Sequence, residues 1–320
     1  MNNPQTATRK LPTVLVTGAS GQLGFQIEKI LGQKFDVILT DYKEMNITNK
    51  LQVHQAIKSS RPDWIIHGAA YTKVDQAEDE VALCTKINAG GTKNLAEVAN
   101  KLDIPIIYIS TDYVFDGKKK SPYVESDTAK PLNVYGKTKL DGEKFIQKIC
   151  KKYYILRVAW LFGELPKNYP GTNFIETMLR LSKERDALSV VNDQIGSPTY
   201  TKDLVEVIDK IVSGQQLAVS SESQSANSQP QTADQPSIPY GLYHFSGNGE
   251  CSWYDFAREI FRLTKIEIDL KPTTSDQYPQ KAKRPSYTYM SKEKIEKALK
   301  ISVRPWQEMV KNYLNKSARP

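Results

Sequence analysis

The 320-residue sequence predicts an α/β fold built on a doubly wound parallel sheet, with a smaller C-terminal lobe. Three observations predict it. A glycine-rich turn, Gly18-Ala19-Ser20-Gly21-Gln22-Leu23-Gly24, sits between an apolar strand and an amphipathic helix. Short apolar strands then alternate with helical patterns. Small or polar residues follow the strand ends, where a sheet of this kind binds its ligands.

Composition narrows the function classes. Hydrophobic residues make up 39% of the chain and no apolar run approaches the length of a membrane span, so a soluble, cytoplasmic protein is expected, with no membrane partner. Residues 1–12 lack the apolar stretch of a secretory signal and are expected to be a flexible leader. Cys84, Cys150 and Cys251 are far apart and His54, His67 and His244 are scattered, so neither a disulfide framework nor a metal site follows from spacing. The net charge of +8 is spread along the chain, with one tight cluster at Lys118 to Lys120 in a loop, which argues for a solvated surface and no nucleic-acid partner. Such a surface also suits a substrate carrying pyrophosphate.

Residues 13–17 read as a buried strand, and Ile27, Ile30 and Leu31 continue the glycine turn into a helix. Glycine serves where the turn is tight, where backbone approaches a pyrophosphate and where helix packs on strand. Gly18, Ser20, Gly21, Gln22, Leu23 and Gly24 are therefore expected to hold a dinucleotide. Their G-x-x-G-x-x-G spacing resembles the Rossmann-like variant of the extended short-chain dehydrogenases/reductases. A second strand at 37–40 ends in Asp41, about 20 residues past the glycines, where an acid hydrogen-bonds the ribose hydroxyls of NAD. Lys43 suits a 2′-phosphate, so NADH and NADPH both stay open, with a lean towards NADH. In the family, the slot of Asn46 and Ile47 commonly holds an Asp and an aliphatic residue beside the adenine.

A helix at about 51–58 leads to a strand at 64–67, followed by Gly68-Ala69-Ala70-Tyr71. Ala69, Ala70 and Tyr71 are expected under the cofactor, and His67 reads as a satisfied core histidine. Helices at about 77–88 and 91–101 precede a strand at 104–109, after which come Thr111 and Asp112. Tyr135-Gly136-Lys137-Thr138-Lys139 then opens a helix whose apolar positions are Leu140, Phe145, Ile146 and Ile149. Tyr135 and Lys139, four apart, share one face. A nearby ammonium is expected to move the phenol's pKa towards neutrality, making it a proton donor for carbonyl reduction. Thr111 offers a hydroxyl to the same carbonyl.

The blocks 70–78, 110–117, 131–139, 157–163, 173–181 and 191–199, together with Arg284-Pro285, resemble the dTDP-4-dehydrorhamnose reductases. That resemblance implies a dTDP-sugar substrate, with Thr111, Tyr135 and Lys139 as the catalytic set and Lys139 also on the nicotinamide ribose. It implies that Thr72, Val74 and Trp160 border the sugar, and that Asp112, Asn173, Gln194 and Arg284 help build the nucleotide-sugar pocket. Val158, Ala159 and residues 286–290 depart from the family pattern, which keeps open another dTDP-4-keto-6-deoxyhexose. A non-enzymatic NADP-binding subunit, resembling the regulatory beta subunit of methionine adenosyltransferase, is the rival from another class. A magnesium ion at an interface, known in some relatives, and a homodimer also stay open.

Residues 13–160 are thus assigned to the dinucleotide-binding domain and 161–212 to mixed cofactor and substrate segments. The stretch 213–239, rich in Ser, Gln, Ala and Pro, reads as a disordered insert. Residues 240–320, with a short strand at 241–245 and helices at 253–263, 292–299 and 306–314, read as a substrate lobe.

Overall fold

Strands of branched apolar residues need both faces covered when they pair in parallel, and six such strands form the central sheet. The computed structural model describes residues 11–167, 169, 171–222, 238–278 and 280–317. The chain opens with β1 (Thr13–Thr17), α1 (Gln22–Leu31), β2 (Asp36–Thr40), α2 (Lys50–Ser60) and β3 (Trp64–His67). It continues through α3 (Val74–Ala77), α4 (Val81–Thr85), a π turn (Lys86–Gly91), α5 (Thr92–Lys101), β4 (Ile106–Thr111), α6 (Val134–Ile149) and β5 (Tyr153–Val158). The second half adds β6 (Leu161–Phe162), α7 (Phe174–Glu184), β7 (Ala187–Val191), β8 (Ile195–Gly196), β9 (Thr199–Tyr200) and α8 (Thr201–Glu222). It ends with β10 (Gly241–Phe245), β11 (Cys251–Ser252), α9 (Trp253–Thr264), β12 (Asp269–Thr273), α10 (Glu293–Leu299) and α11 (Trp306–Ser317).

The sheet order is β10-β5-β4-β3-β1-β2, and every pairing in it is parallel. Strand order reverses at β1, between β2 and β3, which opens a crevice beyond their carboxyl ends. Alternation along each strand divides the core in two. Val14, Val16, Ile66, Ile107 and Leu156 pack on the side of α1 and α8, whereas Leu15, Ile65, Ile106 and Ile155 pack towards α2, α5 and α6. The short pairs β7 with β12, β8 with β11, and β6 with β9 knit the later chain together beside the sheet.

Three expectations need correction. The helices expected at 77–88 and 91–101 form one continuous helical run from Val81 to Lys101, widened by the π turn that contains Asn88, Gly90 and Gly91. The strand at 241–245, assigned to a separate lobe, is instead the edge of the main sheet, in register with β5 from Tyr154 to Val158. The insert expected from residue 213 begins inside α8, which continues to Glu222 behind buried Ile208, Ile211 and Val212. Its remainder, 223–237, and the leader residues 1–10 lie outside the described residues. Among the described residues no helix is long and apolar enough to cross a membrane.

Candidate active site

The glycine turn is shaped by close backbone approach. Gly18 has φ +75°, and a Cβ there would lie 2.7 Å from the Ala69 nitrogen after β3. At Gly24 a Cβ would lie 2.4 Å from the Ala19 carbonyl oxygen, so α1 sits on the turn as tightly as backbone allows. Gly21 is the N-cap of α1 and supplies no side-chain cap, which leaves the helix N-terminus for an anion. The Asp41 carboxylate at the end of β2 accepts the Ser20 N–H at 2.7 Å and so ties the turn to the neighbouring strand.

Two adjoining compartments, of about 440 and 320 Å³, run from this turn along the strand ends and share Thr17, Gly18, Gly21, Gly68, Ala70 and Thr72. The first is lined by Ser20, Asp41, Asn46, Ile47 and Ala69. Gln22, Leu23, Gly24, Thr111, Asp112, Tyr135, Lys139 and Trp160 line the second. Residues predicted from six separate stretches thus meet in one cleft. An elongated cleft with a glycine turn at its centre and a carboxylate at one end fits a dinucleotide.

At the inner end, α6 delivers the central pair. Asn133 caps the helix by accepting the Gly136 N–H at 2.8 Å, which puts Tyr135 in the first turn and Lys139 one turn on. Lys139 is buried, its Nζ donates to the Ile109 carbonyl at 2.6 Å, and it lies 4.1 Å from the centre of the Tyr108 ring. Desolvation pulls its pKa down to about 7. Tyr135 moves the other way. Burial raises the phenol well above its ordinary value, the hydrogen bond to Thr111 opposes that shift, and the Asp112 charge adds to it. The expected net shift towards neutrality is therefore reversed, because burial dominates and the groups that oppose it do not include the Lys139 ammonium. Asp112, buried beside Thr111, is itself pushed up to about 6 by desolvation.

Thr111 has two roles at once. Its hydroxyl oxygen accepts the Tyr113 N–H at 3.2 Å as a turn cap, and its O–H donates to Asp112 at 3.1 Å. His67 is a core residue, with Thr17 on Nδ1 at 2.8 Å and Thr92 on Nε2 at 2.9 Å. Beneath α6, Glu143 receives a fork from Arg157 at 2.9 and 2.6 Å and a 2.5 Å hydrogen bond from the Ser110 hydroxyl.

Other predicted residues do not line these compartments. Asn173 caps α7 through the Glu176 N–H at 3.0 Å, and its amide donates to the Gly163 carbonyl at 3.0 Å. The Gln194 amide donates to Ser275 at 3.0 Å. Arg284, expected on a pyrophosphate, forks onto Asp75 at 2.8 and 2.6 Å. Tyr71 donates its hydroxyl to Glu80 at 2.8 Å, and Val74 opens α3 next to that Asp75. In each polar case an internal partner takes part of the side chain's hydrogen-bonding capacity.

Sequence reasoning missed Asn88. Its amide bridges the Tyr71 backbone, at 2.7 and 3.2 Å, and the Thr138 hydroxyl of α6 at 3.0 Å. Leu83 and Lys86 from the same helical run line the first compartment. Lys86 and Asn88 lie within the π turn, which also contains the paired glycines Gly90 and Gly91.

A family model described as the RmlD substrate binding domain matches residues 12–319. The chain is 41% identical over 312 residues to a dTDP-4-dehydrorhamnose reductase of Aggregatibacter actinomycetemcomitans, covering 93% of this chain and 97% of that relative. It is 38% identical to the spore coat polysaccharide biosynthesis protein SpsK of Bacillus subtilis, covering 94% and 96%. A solved dTDP-4-dehydrorhamnose reductase of Clostridium acetobutylicum superposes with a TM-score of 0.84 at 40% identity, covering 96% of this chain and 100% of that one. The enzyme of that name from Bacillus anthracis, in complex with NADP, superposes with a TM-score of 0.83 at 37% identity, covering 96% and 99%. With a matching fold and relatives aligned over nearly the whole length, the chain belongs to the dTDP-4-dehydrorhamnose reductase family.

Proposed function

We propose that the chain reduces the C4 carbonyl of dTDP-4-dehydro-L-rhamnose, with NADH or NADPH as reductant, to give dTDP-L-rhamnose. The observation that carries this reading is the convergence of Thr111, Tyr135 and Lys139 in the cleft that contains the glycine turn. A nicotinamide supplies hydride to the carbonyl carbon when bound. The Tyr135 phenol, kept protonated by its raised pKa, gives its proton to the carbonyl oxygen. Thr111, on turning its O–H from Asp112 to that oxygen, hydrogen-bonds it and sets its direction. Lys139 holds the nicotinamide ribose and, in its charged form, stabilises the phenolate that proton transfer leaves behind. Gly21 and the α1 N-terminus receive the pyrophosphate, and Asp41 receives the adenosine ribose.

One neighbouring reading changes only the sugar. A relative named dTDP-4-keto-6-deoxy-D-glucose reductase, from Streptomyces niveus, is 34% identical and covers 91% of this chain, and Val158 and Ala159 stand where the family pattern carries hydroxyls. Loss of nicotinamide absorbance, followed with dTDP-4-dehydro-L-rhamnose generated in place by an epimerase, separates the two. Turnover only after epimerisation supports the rhamnose reading; equal turnover without epimerase moves the substrate to the unepimerised keto-sugar.

A further inference from the structure

We infer that Trp253, acting with Gly196, is a positioning residue that holds the Trp160 indole as the wall of the sugar end of the cleft. The inference rests on the keto-sugar reductase reading. Trp160 lines the compartment that contains Thr111 and Tyr135, and its backbone has φ +48°, a left-handed conformation unusual for a bulky aromatic residue. Such a conformation persists where the surroundings over-determine it. Here they do.

One face of the indole stacks on Trp253, with ring centres 3.8 Å apart and planes 15° from parallel. Gly196 closes on the ring, since a Cβ there would lie 2.8 Å from Trp160 Cζ2. The Trp160 carbonyl accepts the Thr199 N–H at 3.3 Å, and the Thr199 hydroxyl donates to the Ala159 carbonyl at 2.6 Å.

Both holding residues are themselves anchored. Trp253 is the first residue of α9, behind a capping box in which the Ser252 hydroxyl accepts the Asp255 N–H and the Asp255 carboxylate accepts the Ser252 N–H. Phe174 supports its ring at 4.7 Å. Gly196 in β8 is paired antiparallel with Cys251 in β11, immediately before that cap. A single ribbon-and-cap unit therefore fixes both surfaces that define where the Trp160 ring lies. A flat apolar wall suits the C–H face of a deoxysugar ring. Because the unit touches the indole and not the glycine turn, it acts on sugar affinity and leaves cofactor affinity alone.

The test uses the full chain and the variants Trp253→Leu, Trp253→Phe and Gly196→Ala. Steady-state kinetics give kcat and KM for the keto-sugar nucleotide, fluorescence titration gives the Kd for NADH, and circular dichroism reads the exciton couplet of the stacked indoles. Trp253→Leu is expected to raise the sugar KM about tenfold, with kcat within about twofold and the NADH Kd unchanged. Trp253→Phe keeps a ring on the indole and recovers most of that loss. Gly196→Ala displaces the indole and raises the sugar KM while Trp253 is still present. The couplet disappears in Trp253→Leu and is perturbed in Gly196→Ala. A wild-type sugar KM in both Trp253→Leu and Gly196→Ala overturns the inference, and so does an equal loss of sugar and NADH affinity. If the wild-type chain does not reduce the keto-sugar, the reductase reading falls by itself. The couplet then decides the positioning claim: retention in Trp253→Leu refutes it, whereas loss there and perturbation in Gly196→Ala support it.

Discussion

Burial acts in opposite directions on the two central side chains because it disfavours the charged form of each. For Tyr135 the charged form is the phenolate, so the acid stays loaded; for Lys139 it is the ammonium, which is half lost at about pH 7. Tyr135→Phe is expected to keep NADH binding and lose turnover by about 10² to 10⁴-fold, a factor readable from single-turnover rates. Near-normal turnover would remove Tyr135 as the acid. Lys139 also makes a stability prediction. A lysine with its folded pKa lowered binds fewer protons folded than unfolded between about 7 and the ordinary 10.5, so stability rises with pH across that window. Lys139→Met should flatten that rise in urea melts and stabilise the chain at neutral pH while weakening NADH binding. Unchanged melts would show that Lys139 is not desolvated. At the other end of the cleft, Asp41 is the residue proposed to meet the adenosine ribose, and Glu44 accepts its N–H at 3.0 Å, so two carboxylates stand where a 2′-phosphate would come in that reading. Asp41→Asn should therefore shift the NADH to NADPH ratio of kcat/KM about fivefold towards NADPH. A ratio that does not move would give the preference to other residues, Lys43 first.

At the scale of elements, α6 is held by more than its apolar face. The Glu143–Arg157 pair is almost fully buried and links α6 to β5, with Ser110 adding β4. Removing one partner leaves an uncompensated charge inside. Glu143→Ala is expected to destabilise by about 3–5 kcal/mol in urea unfolding. A loss below about 1 kcal/mol would mean that water reaches Arg157 and that the pair is not truly desolvated. The π turn plays the complementary part on the other side of α6, because it brings the Asn88 amide to both Tyr71 and Thr138.

For the whole molecule, the late chain completes the early fold. β10 is the sheet edge beside β5, and Tyr154 donates its hydroxyl to the Ile238 carbonyl at 2.6 Å, so the dinucleotide half is not closed by its own residues. A fragment ending at residue 212 should show no cooperative thermal transition by circular dichroism. A sharp transition in that fragment would establish the first half as an independent domain.

Local pattern made much of this legible in sequence. Alternating apolar strands, the glycine turn and the four-residue Tyr135–Lys139 spacing report on neighbours within one element, and the sheet, the tight turn before α1 and the helix that carries Tyr135 and Lys139 followed from them. Tertiary structure alone decided which polar residues face the cleft. Asn173, Gln194 and Arg284 carry the right chemistry for a ligand but lie outside the two compartments and bond to Gly163, Ser275 and Asp75, contacts between elements that leave no periodic trace. The direction of the Tyr135 and Lys139 shifts was likewise a tertiary outcome, because desolvation depends on every element packed around a group, and spacing along one helix records only one of them.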